Sequence, residues 1–301
     1  MREIKRKVLK QFSSARIILF GFIIMIFVGA SILSLPISSR SREFTPFIDT
    51  LFTATSASCV TGLIVYDTAT HWSVFGKIII IAMIQCGGLG VVTMITVFTQ
   101  VTGKKIGLRD RATLQSALSA PQIGGIIRLT SFIFKATIII EMIGAILMFP
   151  SFMKDFGVTK GIYYSIFHSI SAFCNAGFDL MGDVSKFSSL TKYQSDIMIN
   201  ISIMLLILIG GLGFLIWKDI LNYKFDMKRY STQTKIILVM SVVLVIFPSI
   251  LFFFTEFSGL DIKTRILSSL FQAVTPRTAG FNTTDYTKFS DNGIAITIIL
   301  M

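Results

Sequence analysis

Three stretches carry residue types that could strip a cation of its water. They are Ser56-Ala57-Ser58-Cys59-Val60-Thr61-Gly62-Leu63, Ser171-Ala172-Phe173-Cys174-Asn175-Ala176-Gly177-Phe178 and Val274-Thr275-Pro276-Arg277-Thr278-Ala279-Gly280-Phe281. Aligned on their glycines, all three read small or polar residue, glycine, large apolar residue. An ion leaving water needs several oxygens in place of its hydration shell, and backbone carbonyls supply them without net charge. Aiming successive carbonyls one way needs an unusual backbone, which Gly62, Gly177 and Gly280 permit because glycine readily takes positive φ. Cys59, Val60, Thr61, Cys174, Asn175, Ala176, Arg277, Thr278 and Ala279 complete the candidate ion-lining set. One such glycine alone would read as a helix end. Three in equivalent places point to a repeated wall around an ion path.

The elements that would position these loops recur with them. Upstream of each glycine lies a short amphipathic run, with Phe52, Phe167 or Leu270 ten residues before it. A short helix running into an irregular segment is tolerated at membrane depth only where protein buries it or it lines a water-filled path. Spanning segments are expected at about residues 17–35, 74–101, 126–149, 197–217 and 235–254, with a further one starting near Gly293. Short helices are expected at about 46–57, 161–173 and 262–275, and an outer loop holding Lys154 and Asp155 after the third span. The spans at 74–101 and 197–217 carry Cys86-Gly87-Gly88-Leu89-Gly90 and Gly210-Gly211-Leu212-Gly213, small residues that let neighbouring backbones approach. The unit is thus helix, re-entrant helix, glycine loop, helix, present two and a half times. Its parts are a basic tail (1–16), repeat 1 (17–101), a linker (102–125), repeat 2 (126–217), a linker (218–234) and an incomplete repeat 3 (235–301). Since the last apolar run is too short to span at about 1.5 Å per residue, the sequence is expected to be a fragment of a longer protein.

Composition fits this organisation. The 301 residues are 53% hydrophobic and 15% charged, with a mean hydropathy of +0.75, too apolar for an ordinary soluble domain. The net charge of +12 gathers in segments between spans and forms no aromatic-interleaved patch, so topology accounts for it and no nucleic-acid partner is expected. Arg2, Lys5, Arg6, Lys7, Lys10 and Arg16 precede the first span, which puts the N-terminus in the cytoplasm. Lys104, Lys105, Arg109, Arg111, Lys218, Lys224, Lys228 and Arg229 mark later cytoplasmic turns. The three cysteines have neither CxxC nor zinc spacing, and His71 and His168 have no ligand partners, so no metal site beyond the filter carbonyls is expected. No Ser/His, paired-Asp or HExxH arrangement lies in the spans, so no enzyme is expected.

Other residues carry narrower expectations. Glu141 lies near the middle of a span, where a carboxylate is expensive, and is expected to accept hydrogen bonds from a neighbouring repeat. Lys135 is expected to snorkel. Asp67, Asp179, Asp183 and Asp285 follow the glycines on the outer side and are expected at the mouth, where carboxylates concentrate cations. Arg277, three residues before Gly280, is expected to point behind the loop and brace its carbonyls, and Cys59 and Cys174, at the same offset, to act as small packing residues.

Val60-Thr61-Gly62-Leu63, Asn175-Ala176-Gly177-Phe178, Arg277-Thr278-Ala279-Gly280-Phe281 and the two GGLG helices together resemble the Trk/Ktr/HKT superfamily of potassium transporters, in particular its KtrB-type membrane subunits. The resemblance implies an all-α membrane fold, helix-pore-helix repeats in pseudo-fourfold array around one pore, with a filter glycine per repeat. It also implies potassium as the translocated ion, since a glycine at Gly62 goes with potassium and a serine with sodium, with sodium a possible activator. A homodimer in the bilayer, controlled by a cytosolic ring of nucleotide-binding subunits of KtrA or TrkA type, is implied too, with no cofactor bound by this chain. The competing readings are an alternating-access carrier, which usually breaks a spanning helix at its binding site, and a non-conducting truncated subunit.

Overall fold

The computed structural model describes residues 14–102, 106–118, 124–224 and 226–301. Arg2, Lys5, Arg6, Lys7, Lys10, Lys104 and Lys105 lie outside the described residues. The described chain is helical throughout, with a lone bridge between Ser39 and Trp72 as its only β pairing.

The first unit starts with helix α1, Ser14–Ser34, whose side chains sort by size and not by polarity. Gly29, Ala30 and Leu33 face inward, while Leu19, Ile24, Phe27 and Val28 stay exposed, as a helix solvated by lipid requires. Helix α2, Phe47–Cys59, re-enters and ends at the first glycine loop. A single turn, α3 (Thr68–His71), leads into α4 (Val74–Leu89), which starts at Ser73, whose hydroxyl caps the Gly76 N–H.

The sequence predicts one continuous span over 74–101, and the structure breaks it. Gly90 takes φ +84, a conformation costly for other residues, and the chain turns by 98° into α5 (Val91–Val101). Repeat 2 does the same: α8 (Ile197–Leu212) ends at Gly213, φ +92, and turns by 95° into α9 (Phe214–Tyr223). Sixteen residues reach about 24 Å, so each second helix stops short of a hydrocarbon core of about 30 Å. The linker after α5 holds α6 (Leu108–Ala117).

The expected outer loop at Lys154 and Asp155 is also corrected. Helix α7, Ile126–Phe173, continues through Pro150 as far as Gly157, which at φ 77, ψ 172 reverses the chain. Its second limb then packs back against the first. A Cβ on Gly161 would lie 2.9 Å from Met153 N and Cα, so glycine sets this close approach. Asp155 pins the corner, accepting from Tyr193 Oη at 2.7 Å and pairing with Lys192 at 2.8 Å. These donors hold its carboxyl below the usual range. The third unit comprises α10 (Thr232–Thr255), α11 (Ile262–Val274) and α12 (Asp291–Leu300).

The core lies where the re-entrant helices meet. Phe152, Phe167, Phe178 and Phe281 are fully or almost fully buried there with Trp72, Ile80 and Ile84. At about 25 cal/mol per Å² of apolar surface, each such ring contributes a few kcal/mol to holding the loops in place.

Candidate ion pathway

The three glycine loops share one backbone path. Val60, Asn175 and Thr278, each two residues before its glycine, have φ of 59, 57 and 73, and Gly62, Gly177 and Gly280 have φ of 76, 69 and 76. The residue between them turns its N–H back to the helix: Thr61 N donates to Ser56 O at 3.0 Å, Ala176 N to Ser171 O at 2.7 Å, and Ala279 N to Thr275 O at 3.0 Å. In a trans peptide N–H and C=O point opposite ways, so the carbonyls of Val60, Asn175 and Thr278 point away from the helices. A β-branched residue at positive φ is a true outlier, of the order of 1–3 kcal/mol each. Two of the three loops hold one.

The loops close on one another in rotation. A Cβ on Gly62 would stand 2.6 Å from Ala176 O, and one on Gly177 would stand 2.6 Å from Ala279 O and 3.1 Å from Gly280 Cα. In the second and third loops the residue before the glycine thus presents its carbonyl to the glycine of the preceding unit. Hydroxyls brace the outer turn: Ser171 Oγ donates to Phe178 O at 2.7 Å, and Thr275 Oγ1 donates to Phe281 O. In the first loop Thr61 Oγ1 instead donates to Ser56 Oγ at 2.9 Å, and Leu63, unlike the two phenylalanines, is 61% exposed. Cys59, Val60, Thr61, Cys174, Asn175, Thr275 and Thr278 line a cavity of about 770 Å³, which runs on past Gly280 to Asn282, Tyr286 and Met301. Three helix C-termini face this region, which favours a cation there.

The first two glycines of each GGLG run serve as seats for these loops. A Cβ on Gly87 would collide with Ser58 O, and one on Gly210 with Phe173 O; each partner lies four residues before a loop glycine. Gly88 likewise receives Cys174. The final glycine has the different task of breaking the helix.

Glu141, 7% exposed, accepts from Gln85 Nε2 at 2.9 Å, and its own carbonyl accepts from Ser169 Oγ at 2.6 Å. The carboxyl on the first helix of repeat 2 is therefore held by the second helix of repeat 1. Replacing Gln85 by leucine leaves the buried carboxyl without its donor and is expected to cost about 1–3 kcal/mol. Thermal unfolding in detergent measures this, and no loss would mean the contact is dispensable.

Arg277 turns away from the loop, as its charge requires, but it does not brace the loop's carbonyls. Its guanidinium donates to Ser241 Oγ at 3.1 Å and Ser241 O at 3.5 Å, in the middle of α10. Lys135 is exposed. Cys174 packs on Gly88, whereas Cys59 is exposed in the cavity and not packed. His168 is fully buried, with Nδ1 2.8 Å from Tyr164 O and Nε2 accepting from Leu180 N at 3.3 Å, so it is a neutral strut behind the second loop. His71 stacks on Tyr66 at 4.0 Å.

The four outer aspartates do not form one ring of free charge. Asp67 is buried, caps α3 through Ala69 N and Thr70 N, and accepts from Phe187 N across the repeat boundary. Asp183 accepts from Tyr164 Oη at 2.8 Å and faces Arg40 and Lys160. Asp285, exposed, accepts from Thr287 N and Oγ1, bonds that lower its pKa. A carboxylate that caps a backbone turn satisfies local donors first, and position in sequence does not reveal this.

Asp179 accepts from Met181 N at 2.8 Å, and burial pushes its pKa up to about 6, opposed by that bond. A carboxyl with a raised folded pKa favours the folded state at low pH, and this contribution is lost as pH rises through about 6. Asp179→Asn, which keeps an acceptor for Met181, is therefore expected to raise the unfolding temperature by a few degrees at about pH 7. Near about pH 4 the two proteins are expected to unfold together. An equal shift at both pH values would exclude titration of Asp179 as the cause.

The comparisons with known proteins bear on family and fold. The family described as "TrkH: Cation transport protein" matches residues 12–301. The "Potassium/sodium uptake protein NtpJ" of Enterococcus hirae is 42% identical over 306 residues, covering 100% of this chain and 66% of that protein. The "Ktr system potassium uptake protein B" of Bacillus subtilis is 40% identical, covering 99% of this chain and 67% of that protein. The chain thus spans about two thirds of the length of these curated relatives. The crystal structure of the potassium transporter TrkH from Vibrio parahaemolyticus superposes with a TM-score of 0.68 at 16% identity, covering 96% of this chain and 56% of that one, which shows the fold. A family match over nearly the whole sequence, on an all-helical membrane fold of re-entrant repeats, makes this chain a member of the TrkH family of cation transport proteins.

Proposed function

We propose that this chain forms most of the wall of a potassium-uptake pathway, with the ion passing through the ring of Gly62, Gly177 and Gly280. The observation that carries this reading is the shared left-handed backbone two residues before each glycine and at the glycine itself. Such strain persists only where the surroundings enforce it, and it clusters at functional sites. Carbonyls of Val60, Asn175 and Thr278, with those of Ala176 and Ala279, replace water on a bare cation. The ion is potassium, and the relatives named above are potassium or potassium/sodium uptake proteins.

The topology proposed with this function puts Arg16, Arg111, Lys218 and Lys228 in the cytoplasm of a cell-membrane protein. The membrane subunit works as a homodimer on a cytosolic nucleotide-binding ring, as the Ktr resemblance implies. The helix breaks at Gly90 and Gly213 bear on the carrier reading, because a carrier also breaks a spanning helix. They lie at the ends of α4 and α8, beyond the glycine seats, whereas a carrier breaks its helix at the binding site. The ion therefore passes by electrodiffusion along the loops, without alternating access.

The test is growth at limiting potassium of a strain lacking its own potassium uptake. Expression of the protein is expected to restore growth, and Gly62→Ser is expected to shift preference toward sodium. Growth restored equally by Gly62→Ser and Gly280→Ser variants, with unchanged ion preference, would contradict the filter assignment.

A further inference from the structure

A groove of about 890 Å³ lies between the first and second repeats, at the end of the molecule where α1 finishes and α4 begins. Its charge is unbalanced: Arg40, Arg42, Lys77 and Lys160 line it with Asp183 as the one carboxylate. Asp183 is already shared by Arg40 at 3.6 Å, Lys160 at 3.7 Å and Tyr164 Oη at 2.8 Å. Lys77 is 9% exposed and donates to Ala69 O at 2.7 Å. No ion pair or hydrogen bond among the described residues engages the Arg42 side chain. Tyr163 Oη, on the same wall, is buried without a hydrogen-bond partner among them. The groove therefore offers surplus cations and a free hydroxyl.

Its other wall is apolar. Ile37 is 61% exposed and Val74 65%, and Ile78, one turn further along α4, is 50% exposed. A small soluble anion would use the cations and leave this stripe bare. An amphiphile with an anionic head uses both.

We propose that this groove is a site for one anionic phospholipid, its phosphate held by Arg40, Arg42 and Lys160 and its upper acyl chain laid along Ile37, Val74 and Ile78. Tyr163 Oη donates to an oxygen of the headgroup. By bridging the two repeats, the lipid ties the wall of the first glycine loop to that of the second. The leaflet it comes from, the outer one, follows from the topology proposed above; the binding itself does not depend on it.

The test is native mass spectrometry of the chain delipidated in mild detergent and titrated with phosphatidylglycerol, with phosphatidylcholine of the same acyl chains, or with inorganic phosphate. One phosphatidylglycerol is expected to bind about tenfold more tightly than phosphatidylcholine, the scale set by a few surface cations. The Arg42→Gln/Lys160→Gln variant is expected to lose about that factor for phosphatidylglycerol and to bind phosphatidylcholine as before. Arg42→Gln alone, at a side chain with no internal partner, keeps the fold and is expected to show part of the loss, with an unchanged size-exclusion profile as control. Equal binding of the two lipids, or undiminished phosphatidylglycerol binding by both variants, would overturn the proposal. Displacement of the lipid by inorganic phosphate would assign the cations to a soluble anion instead and would overturn it as well.

Discussion

Gly177→Ala lowers potassium uptake by about a hundredfold. Two costs combine in this expectation. A side chain at φ 69 costs about 1–2 kcal/mol in the left-handed region. The added Cβ would also stand 2.6 Å from Ala279 O, and overpacking a rigid site costs about 1–3 kcal/mol more. Relief requires that carbonyl to move, yet it is one of the oxygens proposed above to face the ion. At a factor of ten per 1.4 kcal/mol, the conducting arrangement becomes about a hundredfold rarer. Gly259→Ala, where a Cβ meets nothing within 4 Å, is the control and is expected to transport as the native protein does. Initial rates of potassium uptake in depleted cells measure both, and native rates for Gly177→Ala would remove this glycine from the pathway.

Gly210→Val is the second large effect, and it acts from behind the loop. The backbone of α8 touches Phe173 O at this glycine, so a branched side chain must push the end of α7 off its seat. A loss of stability of about 2–3 kcal/mol is expected, seen as a lower unfolding temperature. Displacing the helix end also displaces Asn175 and Ala176, so potassium over sodium preference is expected to fall in whatever protein remains folded. Gly87→Val, seated against Ser58 O, is expected to behave alike. Unchanged selectivity in both variants would show that the seats support folding and leave the ion path untouched.

Much of this arrangement was legible in the sequence. Apolar run length placed the spans but not their breaks, and the recurrence of one loop singled out Gly62, Gly177 and Gly280, which share one backbone conformation. The left-handed residues before them were not legible. Asn tolerates that conformation, but Val60 and Thr278 are residues that sequence reasoning assigns to extended backbone. Only the enclosing helices enforce it. In sequence Gly90 and Gly213 look like the packing glycines beside them, although a glycine closing an apolar helix is also a stop signal. Periodicity cannot separate a seat from a break when both use the same residue. The aspartates differ for a related reason: Asp179 and Asp285 turn to backbone donors two residues on, and Asp67 also accepts from the backbone N–H of Phe187, distant in sequence. For Arg277 charge gave the direction, away from the loop, but not the partner, which is Ser241 and not the loop's carbonyls.

Cys59 offers the most direct measurement. It is the last residue of α2, exposed, and lines the cavity beside the three loops, so a cationic thiol reagent attached there stands in the proposed path of the ion. With the protein reconstituted in liposomes and rubidium as tracer for potassium, the reagent is expected to stop uptake by the native protein. It is expected to leave the Cys59→Ser variant conducting, and potassium in excess is expected to slow the block. Tracer uptake that continues in the native protein after mass spectrometry shows Cys59 fully modified would contradict an ion path through these three loops.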